Sequence, residues 1–212
     1  MNLARPRPPE RLLGQEGALT ALPFEPAPEL EIWARAAFIN EDAVLLNEEH
    51  AHLREATLGF MWTSVPNARG GNGVVGQAEI PSIQGGKWAR ARFFQQVEAW
   101  FGLVPDFMIT LDAGFADQAD DATFCSLVEH ELYHCAQART AWGDLKFRKD
   151  GSPAFTIRGH DVEEFVGIVQ RYGTGAAAGR TSAFVAAAIA GPTIVAAEIS
   201  GCCGTCGRGL NR

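Results

Sequence analysis

From Asp121 onward the apolar positions Phe124, Leu127, Val128, Cys135 and Ala138 recur at mostly helical spacing, and Asp120 or Asp121 stands where a helix N-cap belongs. The pattern predicts a buried helix over about residues 121–140. Upstream, residues 29–56 read as helical, and Leu58, Phe60 and Trp62 alternate as in a strand. A loop rich in Gly and Asn, 67–73, leads to a second strand over 74–80. Phe93, Phe94, Val97, Trp100 and Phe101 line a helix that stops at Gly102, and Phe107, Ile109 and Leu111 alternate in a strand just before the 121–140 helix. Downstream, 145–149 and 154–157 flank Asp150-Gly151, a strong short hairpin signal. Val162, Phe165, Val169 and Tyr172 form the stripe of a second helix. Strands and helices in this order predict an α+β fold, a small mixed sheet packed on helices.

The two ends read differently. Pro6, Pro8, Pro9, Pro23, Pro26 and Pro28 are six of the eleven prolines, so residues 1–28 are expected as a Pro-rich flexible or extended arm, with order beginning near Glu29. Residues 183–197 are Ala-rich and apolar but shorter than a bilayer span and interrupted by Gly191-Pro192, which predicts a packed, broken helix and no membrane segment. Cys203 and Cys206 have C-x-x-C spacing without a second pair, a weak signal for a metal or redox role. The expected division is the arm 1–28, one domain over 29–177, and an Ala-rich segment with a Cys-containing tail over 178–212.

Composition narrows the function classes. With 212 residues, 47% of them hydrophobic, the chain buries a core without needing disulfides. Five cysteines, an odd number in no regular framework, fit a reducing compartment, and Cys125 and Cys135 read as small apolar packing residues. A net charge of −7 argues against broad nucleic-acid or anionic-membrane binding. The small basic cluster of Lys87, Arg90 and Arg92 reads as a solvated helix face.

Chemistry concentrates in His130-Glu131-Leu132-Tyr133-His134, an H-E-x-x-H pattern on the predicted helix. Positions four apart are separated by about 400° of helical rotation, so His130 and His134 stack one turn apart and can chelate one metal ion. Glu131 lies about 100° further round, off the metal but near a water on it, where a carboxylate can take a proton.

A catalytic zinc takes three protein ligands and leaves a fourth position to water. Of the other histidines, His50 and His52 sit in the polar stretch Glu-Glu-His-Ala-His and read as surface residues. His160 stands where Asp161 and Glu164 resemble a capping box, at or just before the start of the second helix. Glu163 and Glu164 compete with it, because carboxylate and neutral imidazole both bind zinc. Asp144 or Asp161 could orient a ligand imidazole from behind. Neither Tyr133 nor Tyr172 is assigned as an oxyanion stabiliser.

The run from Thr57-Leu-Gly-Phe-Met-Trp-Thr63 through Lys87-Trp88, Pro105-Asp106-Phe107 and His130-Glu-Leu-Tyr-His134 to Gly159-His-Asp-Val-Glu-Glu-Phe165 and Arg171-Tyr172-Gly173 resembles the phage metallopeptidase family of tailed bacteriophages and prophages. His160 followed by Phe165 also looks like the SprT-type peptidases, in which an aromatic follows the third histidine. The resemblance covers about residues 30–175. It implies a zincin-like fold containing the H-E-x-x-H helix, a Zn2+ cofactor, His130, His134 and His160 as ligands, and Glu131 as catalytic base. The expected function is then a zinc metallopeptidase that hydrolyses peptide bonds of a protein or peptide substrate with zinc-activated water.

Two other readings remain. A non-catalytic adaptor could be braced by the same zinc, in which case protein fills the fourth position. A nucleic-acid-associated peptidase of the SprT kind would use the small basic cluster against the acidic balance. The start of the chain is Pro-rich and polar, with no apolar run behind a basic region, so a cytoplasmic location is expected, in the bacterial host if the protein is phage-encoded.

Overall fold

The computed structural model describes residues 4–14, 21–69, 72–162, 169, 174, 180–197 and 202–205. The fold is α+β. Its main sheet has the strand order β1 (Phe24–Pro26), β2 (Leu58–Thr63), β5 (Phe107–Asp112), β4 (Asn72–Glu79) and β3 (Ala68–Arg69), with β8 (Cys202–Cys203) also paired to β4. β2 and β5 run parallel, in register from Leu58 opposite Phe107 to Thr63 opposite Asp112, and the β4–β5 pair is antiparallel.

Every residue of β2 is buried. The expected alternation holds for one face, where Leu58, Phe60 and Trp62 join the main core, but Met61 on the other face is buried as well. That second face is covered by α2 (Lys87–Phe101), whose Phe101 ring and the following Pro105 lie against Gly59 so closely that an added Cβ would meet both at 3.0 Å. A central strand covered on both sides reads as a continuous apolar run, which Leu-Gly-Phe-Met-Trp is. α2 stops at Gly102 as expected, in the left-handed conformation at φ 75°.

The principal core lies between the sheet, α1 (Pro28–Ala34) and α4 (Asp121–His134). Trp33, Phe38, Trp62 and Phe124 pack there with ring centroids 5.4–6.1 Å apart. The stretch expected as one helical run over 29–56 is divided: Pro28 opens α1 at its first turn, Arg35–Ile39 widens into a π turn, a polar loop follows, and Glu48–Arg54 is 3-10 helix.

Order begins before Glu29, contrary to the sequence expectation. Leu12 is buried, β1 pairs antiparallel with β2, and Arg5 reaches α4. The Arg5 guanidinium sits 4.6 Å from the Phe124 ring centroid, donates to the Asp121 carboxylate at 2.8 Å, and donates to the Ala116 and Ala119 carbonyls at the C-terminal end of α3 (Ala113–Gln118). Proline keeps this segment extended, and scattered apolar and cationic side chains anchor it.

α4 starts where expected, with the Asp120 carboxylate accepting from the Thr123 amide at 2.7 Å. It ends at His134, earlier than expected. Cys135 instead opens β6 (Cys135–Gln137), which pairs antiparallel with β7 (Phe155–Ile157), so a tertiary ladder takes over the backbone hydrogen bonds that would have extended the helix. Between these strands the chain turns at Asp150-Gly151, where Gly151 has φ 88° and the Asp150 carboxylate accepts from the Ser152 amide at 3.0 Å. The proposed helix after His160 falls mostly on residues outside those described. α5 (Thr181–Ala190) ends at Gly191 as the sequence suggests, but it is not packed: none of its residues is buried, and Phe184 and Ile189 are exposed. No helix among the described residues is long and apolar enough to cross a membrane.

Candidate metal centre

Three imidazoles converge at the C-terminal end of α4. His130 Nε2 lies 3.2 Å from His134 Nε2 and 3.3 Å from His160 Nε2, and the ring centroids are 4.9–5.2 Å apart. Helical stacking supplies the first pair. The β6–β7 ladder supplies the third: Ile157 is held opposite Cys135, and three residues further on His160 meets the helix end.

A backbone group fixes the His134 ring. His134 Nδ1 is 2.6 Å from the Arg158 carbonyl oxygen, which only accepts, so Nδ1 carries the proton and the Nε2 lone pair faces the other imidazoles. For His134 the orienting group is this carbonyl and not the carboxylate of Asp144 or Asp161, the two candidates from the sequence. Asp161 instead pairs with Arg158 at 2.9 Å and with Arg180, and Asp144 belongs to the turn that bonds Thr140.

Burial, with help from neighbouring His134 and His160, pushes the His130 pKa down to about 4. His134 is also lowered, by burial and the Arg158 charge, against the opposing pull of the Arg158 carbonyl. His130 and His134 are therefore neutral near pH 7, and nitrogen lone pairs this close repel unless a proton or a cation sits between them. A tetrahedral ion with Zn–N bonds of ~2.0–2.1 Å needs nitrogens about 3.3 Å apart. The observed separations fit that donor set.

Glu131 is fully buried, because it continues the stripe of Phe124, Leu127 and Val128. Burial raises its pKa to about 7, against the opposing effect of Cys203, Thr205 and the Ala78 backbone. Its Oε2 lies 3.3 Å from Thr205 Oγ1, and Oε1 has no hydrogen-bond partner among the described residues. β4 crosses directly above: a Cβ on Gly76 would stand 2.8 Å from Glu131 Oε1.

Two histidines differ from the surface residues expected. His50 is buried against the Tyr133 ring, with centroids 4.7 Å apart, and His52 Nε2 donates to the Cys135 carbonyl at 2.7 Å. Neither joins the cluster. Glu163, Glu164 and Tyr172 lie outside the described residues, as does Cys206. Tyr133 stands beside the three imidazoles on a cleft of about 240 Å³ that Glu49, Arg158 and Gly159 also line. Its hydroxyl accepts from the Asn47 side-chain amide at 2.8 Å.

Sequence reasoning missed Cys203 as a neighbour of this site. Its Sγ lies 3.3 Å from His134 Nε2 and 3.7 Å from Glu131 Oε2, and the ligand atoms of His130, His134 and Cys203 all fall within 4.8 Å of one another. The C-x-x-C spacing marked Cys203 as a candidate ligand but could not say which partners it would meet.

No curated protein and no solved structure matches the chain. A family model described as "Putative phage metallopeptidase" does match, over residues 31–189, a span that holds all three histidines and Glu131 but not Cys203. The chain therefore belongs to the phage metallopeptidase family.

Proposed function

We propose that the protein is a zincin-like, zinc-dependent peptidase that holds the metal through His130, His134 and His160 and uses Glu131 as general base. The observation that carries this reading is the approach of His134 Nε2 and His160 Nε2 to within 3.3 Å of His130 Nε2, at the end of the helix that also bears Glu131. Bound zinc supplies Lewis-acid polarisation of a substrate carbonyl and lowers the pKa of water at the open position.

The chain's own residues do the rest. The Arg158 carbonyl keeps the His134 lone pair directed inward. Glu131 takes a proton from the attacking water and returns it to the leaving amine, so the carboxylate ends as it began. Burial alone would hold Glu131 partly protonated near neutrality, and a cation beside it draws its pKa down, which keeps it competent as a base. A protein or peptide is the substrate class that the family membership supports.

The test is Glu131→Gln, which keeps size and hydrogen bonding but removes the proton acceptor. Metal content should persist while hydrolysis of an unfolded protein falls by roughly 10²- to 10⁴-fold. Undiminished hydrolysis by a contaminant-free variant would sink the assignment. A second reading, a zinc-braced adaptor, is favoured by one observation: Cys203 Sγ at 3.3 Å from His134 Nε2 offers a fourth protein ligand, and filled fourth positions belong to structural sites.

A further inference from the structure

We infer that the C-terminal strand β8 holds the proposed peptidase latent: Cys203 closes the metal site as a fourth ligand while the segment through Thr205 seals Glu131, and activity requires this segment to leave. The inference rests on the peptidase reading above and concerns how that site is regulated. Cys203 lies beyond the span that the family model matches.

The ligand geometry comes first. A tetrahedral ion with Zn–N of ~2.0–2.1 Å and Zn–S of ~2.3 Å needs nitrogen and sulfur about 3.5 Å apart. Cys203 Sγ stands 3.3 Å from His134 Nε2. The ligand atoms of His130, His134 and Cys203 lie within 4.8 Å of one another and His160 Nε2 reaches His130 at 3.3 Å, so an ion drawn in between them would close on three imidazoles and one thiolate, a structural set. Binding releases the thiol proton, and departure of the sulfur gives its position to water. No redox step is involved.

The second observation is how the segment is seated. β8 adds to β4 on the edge beside the motif helix, with Val74 opposite Cys202 and Gly76 opposite Cys203. Gly204 N–H donates to the Gly76 carbonyl at 2.8 Å, and the Thr205 hydroxyl accepts from Ala78 N–H at 2.7 Å. Arg69 donates to the Gly204 carbonyl at 2.6 Å. Gly204 fits so closely that a Cβ there would lie 2.5 Å from Gln77 Oε1 and 2.8 Å from Val74 Cγ1. The strand pairing and the Gly204–Gly76 bond are main-chain contacts of the kind by which an extended peptide docks on a sheet edge, so the segment occupies the edge that a substrate would need next to the metal.

The third observation is access. The cleft that reaches His130, His134 and His160 is lined by neither Glu131 nor Cys203 among the described residues. Glu131 is covered by the Cys203 thiol and the Thr205 hydroxyl. A base with no exposed surface meets no water until that cover lifts. Upstream of β8 the chain already follows the helix, since Ile194 and Ala197 line a cavity of about 590 Å³ with Cys125, Glu129 and His130.

The experiment loads the full-length protein with cobalt(II) in place of zinc. Wild type should show a near-ultraviolet sulfur-to-metal charge-transfer band. Cys203→Ala should lose it while still binding about one ion through the three imidazoles. In the zinc form, Cys203→Ala should hydrolyse an unfolded protein at least about tenfold faster than wild type, as expected if the open form is below about a tenth of the population. Gly204→Val keeps the sulfur but cannot seat against Gln77 and Val74, so it should weaken the band and raise hydrolysis in parallel, and it serves if Cys203→Ala does not fold.

Absence of the band in wild type that has taken up cobalt overturns the inference. A band that disappears in Cys203→Ala, with hydrolysis unchanged in both variants, overturns latency and leaves the closed site of the adaptor reading. Failure of the base assignment shows up separately: hydrolysis by Cys203→Ala that survives an added Glu131→Gln removes Glu131 from the mechanism and leaves the thiolate ligation intact.

Discussion

His134 and the backbone of Arg158 bond each other twice: His134 Nδ1–H donates to the Arg158 carbonyl at 2.6 Å, and Arg158 N–H donates to the His134 main-chain carbonyl at 2.9 Å. The C-terminal end of α4 is thereby tied to the strand that delivers His160 two residues later. The backbone of one residue thus sets both the tautomer of one proposed ligand and the location of another.

Because the acceptor is backbone, a side-chain deletion leaves it in place. Arg158→Ala should therefore change zinc affinity little, whereas Arg158→Pro removes the N–H and restricts the preceding residue. Loss of groups that orient metal ligands typically costs about 10- to 100-fold in affinity, and Arg158→Pro should fall in that range by competition with a chromogenic chelator. Equal affinity in the two variants would remove the Arg158 peptide from the architecture of the site.

Gly76 offers a steric test of how β4 meets the motif helix. Its backbone lies so close to Glu131 and Leu127 that a Cβ would stand 2.8 Å from Glu131 Oε1 and 2.9 Å from Leu127 Cδ1. Both atoms belong to fully buried side chains. Gly76→Ala should destabilise the fold by about 1–3 kcal/mol, the usual cost of overpacking, read as a lower urea midpoint. A neutral or stabilising effect would mean that the helix and strand separate more easily than these contacts allow.

How much of this was legible in the sequence differs from residue to residue. The Asp120 cap, the apolar stripe and the His130–His134 pair follow from local spacing, which a helix translates directly into position. The burial of Glu131 follows from the same arithmetic, since it stands seven residues after Phe124 and four after Leu127. The end of the helix at His134 was not legible, because it is decided by pairing of Cys135 with Ile157. His50 is buried despite its acidic neighbours, because a 3-10 turn aims it at Tyr133. Cys203 approaches His134 from 69 residues downstream through strand pairing with β4, and no local pattern encodes that approach.

Asp106 carries a pH dependence that is separate from the metal site. Burial raises its pKa, but the Thr57 amide, the Arg148 guanidinium at 2.9 Å and the Thr57 hydroxyl outweigh burial and hold the carboxyl below its ordinary value of 3.8. A depressed folded-state pKa gives stability that is fully present above the unfolded value and is lost as pH falls through the folded one. Asp106→Asn should thus lower the denaturation midpoint at pH about 6, and the gap from wild type should close in acid below about pH 4. A gap that stays constant across that range would show that the carboxylate charge is not what these bonds stabilise.

The identity of the third ligand is tested by metal content. His160 Nε2 lies 3.3 Å from His130 Nε2, and neutral imidazole is a normal zinc donor, whereas Glu163 and Glu164 were the competing donors on grounds of ligand chemistry. With Cys203→Ala as background, so that the thiol cannot take over a vacated position, zinc should remain at about one per chain in Glu163→Ala and Glu164→Ala and drop well below that in His160→Ala. The background matters, because in wild type the two remaining imidazoles and the Cys203 sulfur would still make a three-donor set, and a His160→Ala protein with zinc retained could be misread. If His160→Ala keeps full zinc in the Cys203→Ala background while a glutamate variant loses it, the third ligand is that carboxylate, and the approach of His160 to His130 has another cause.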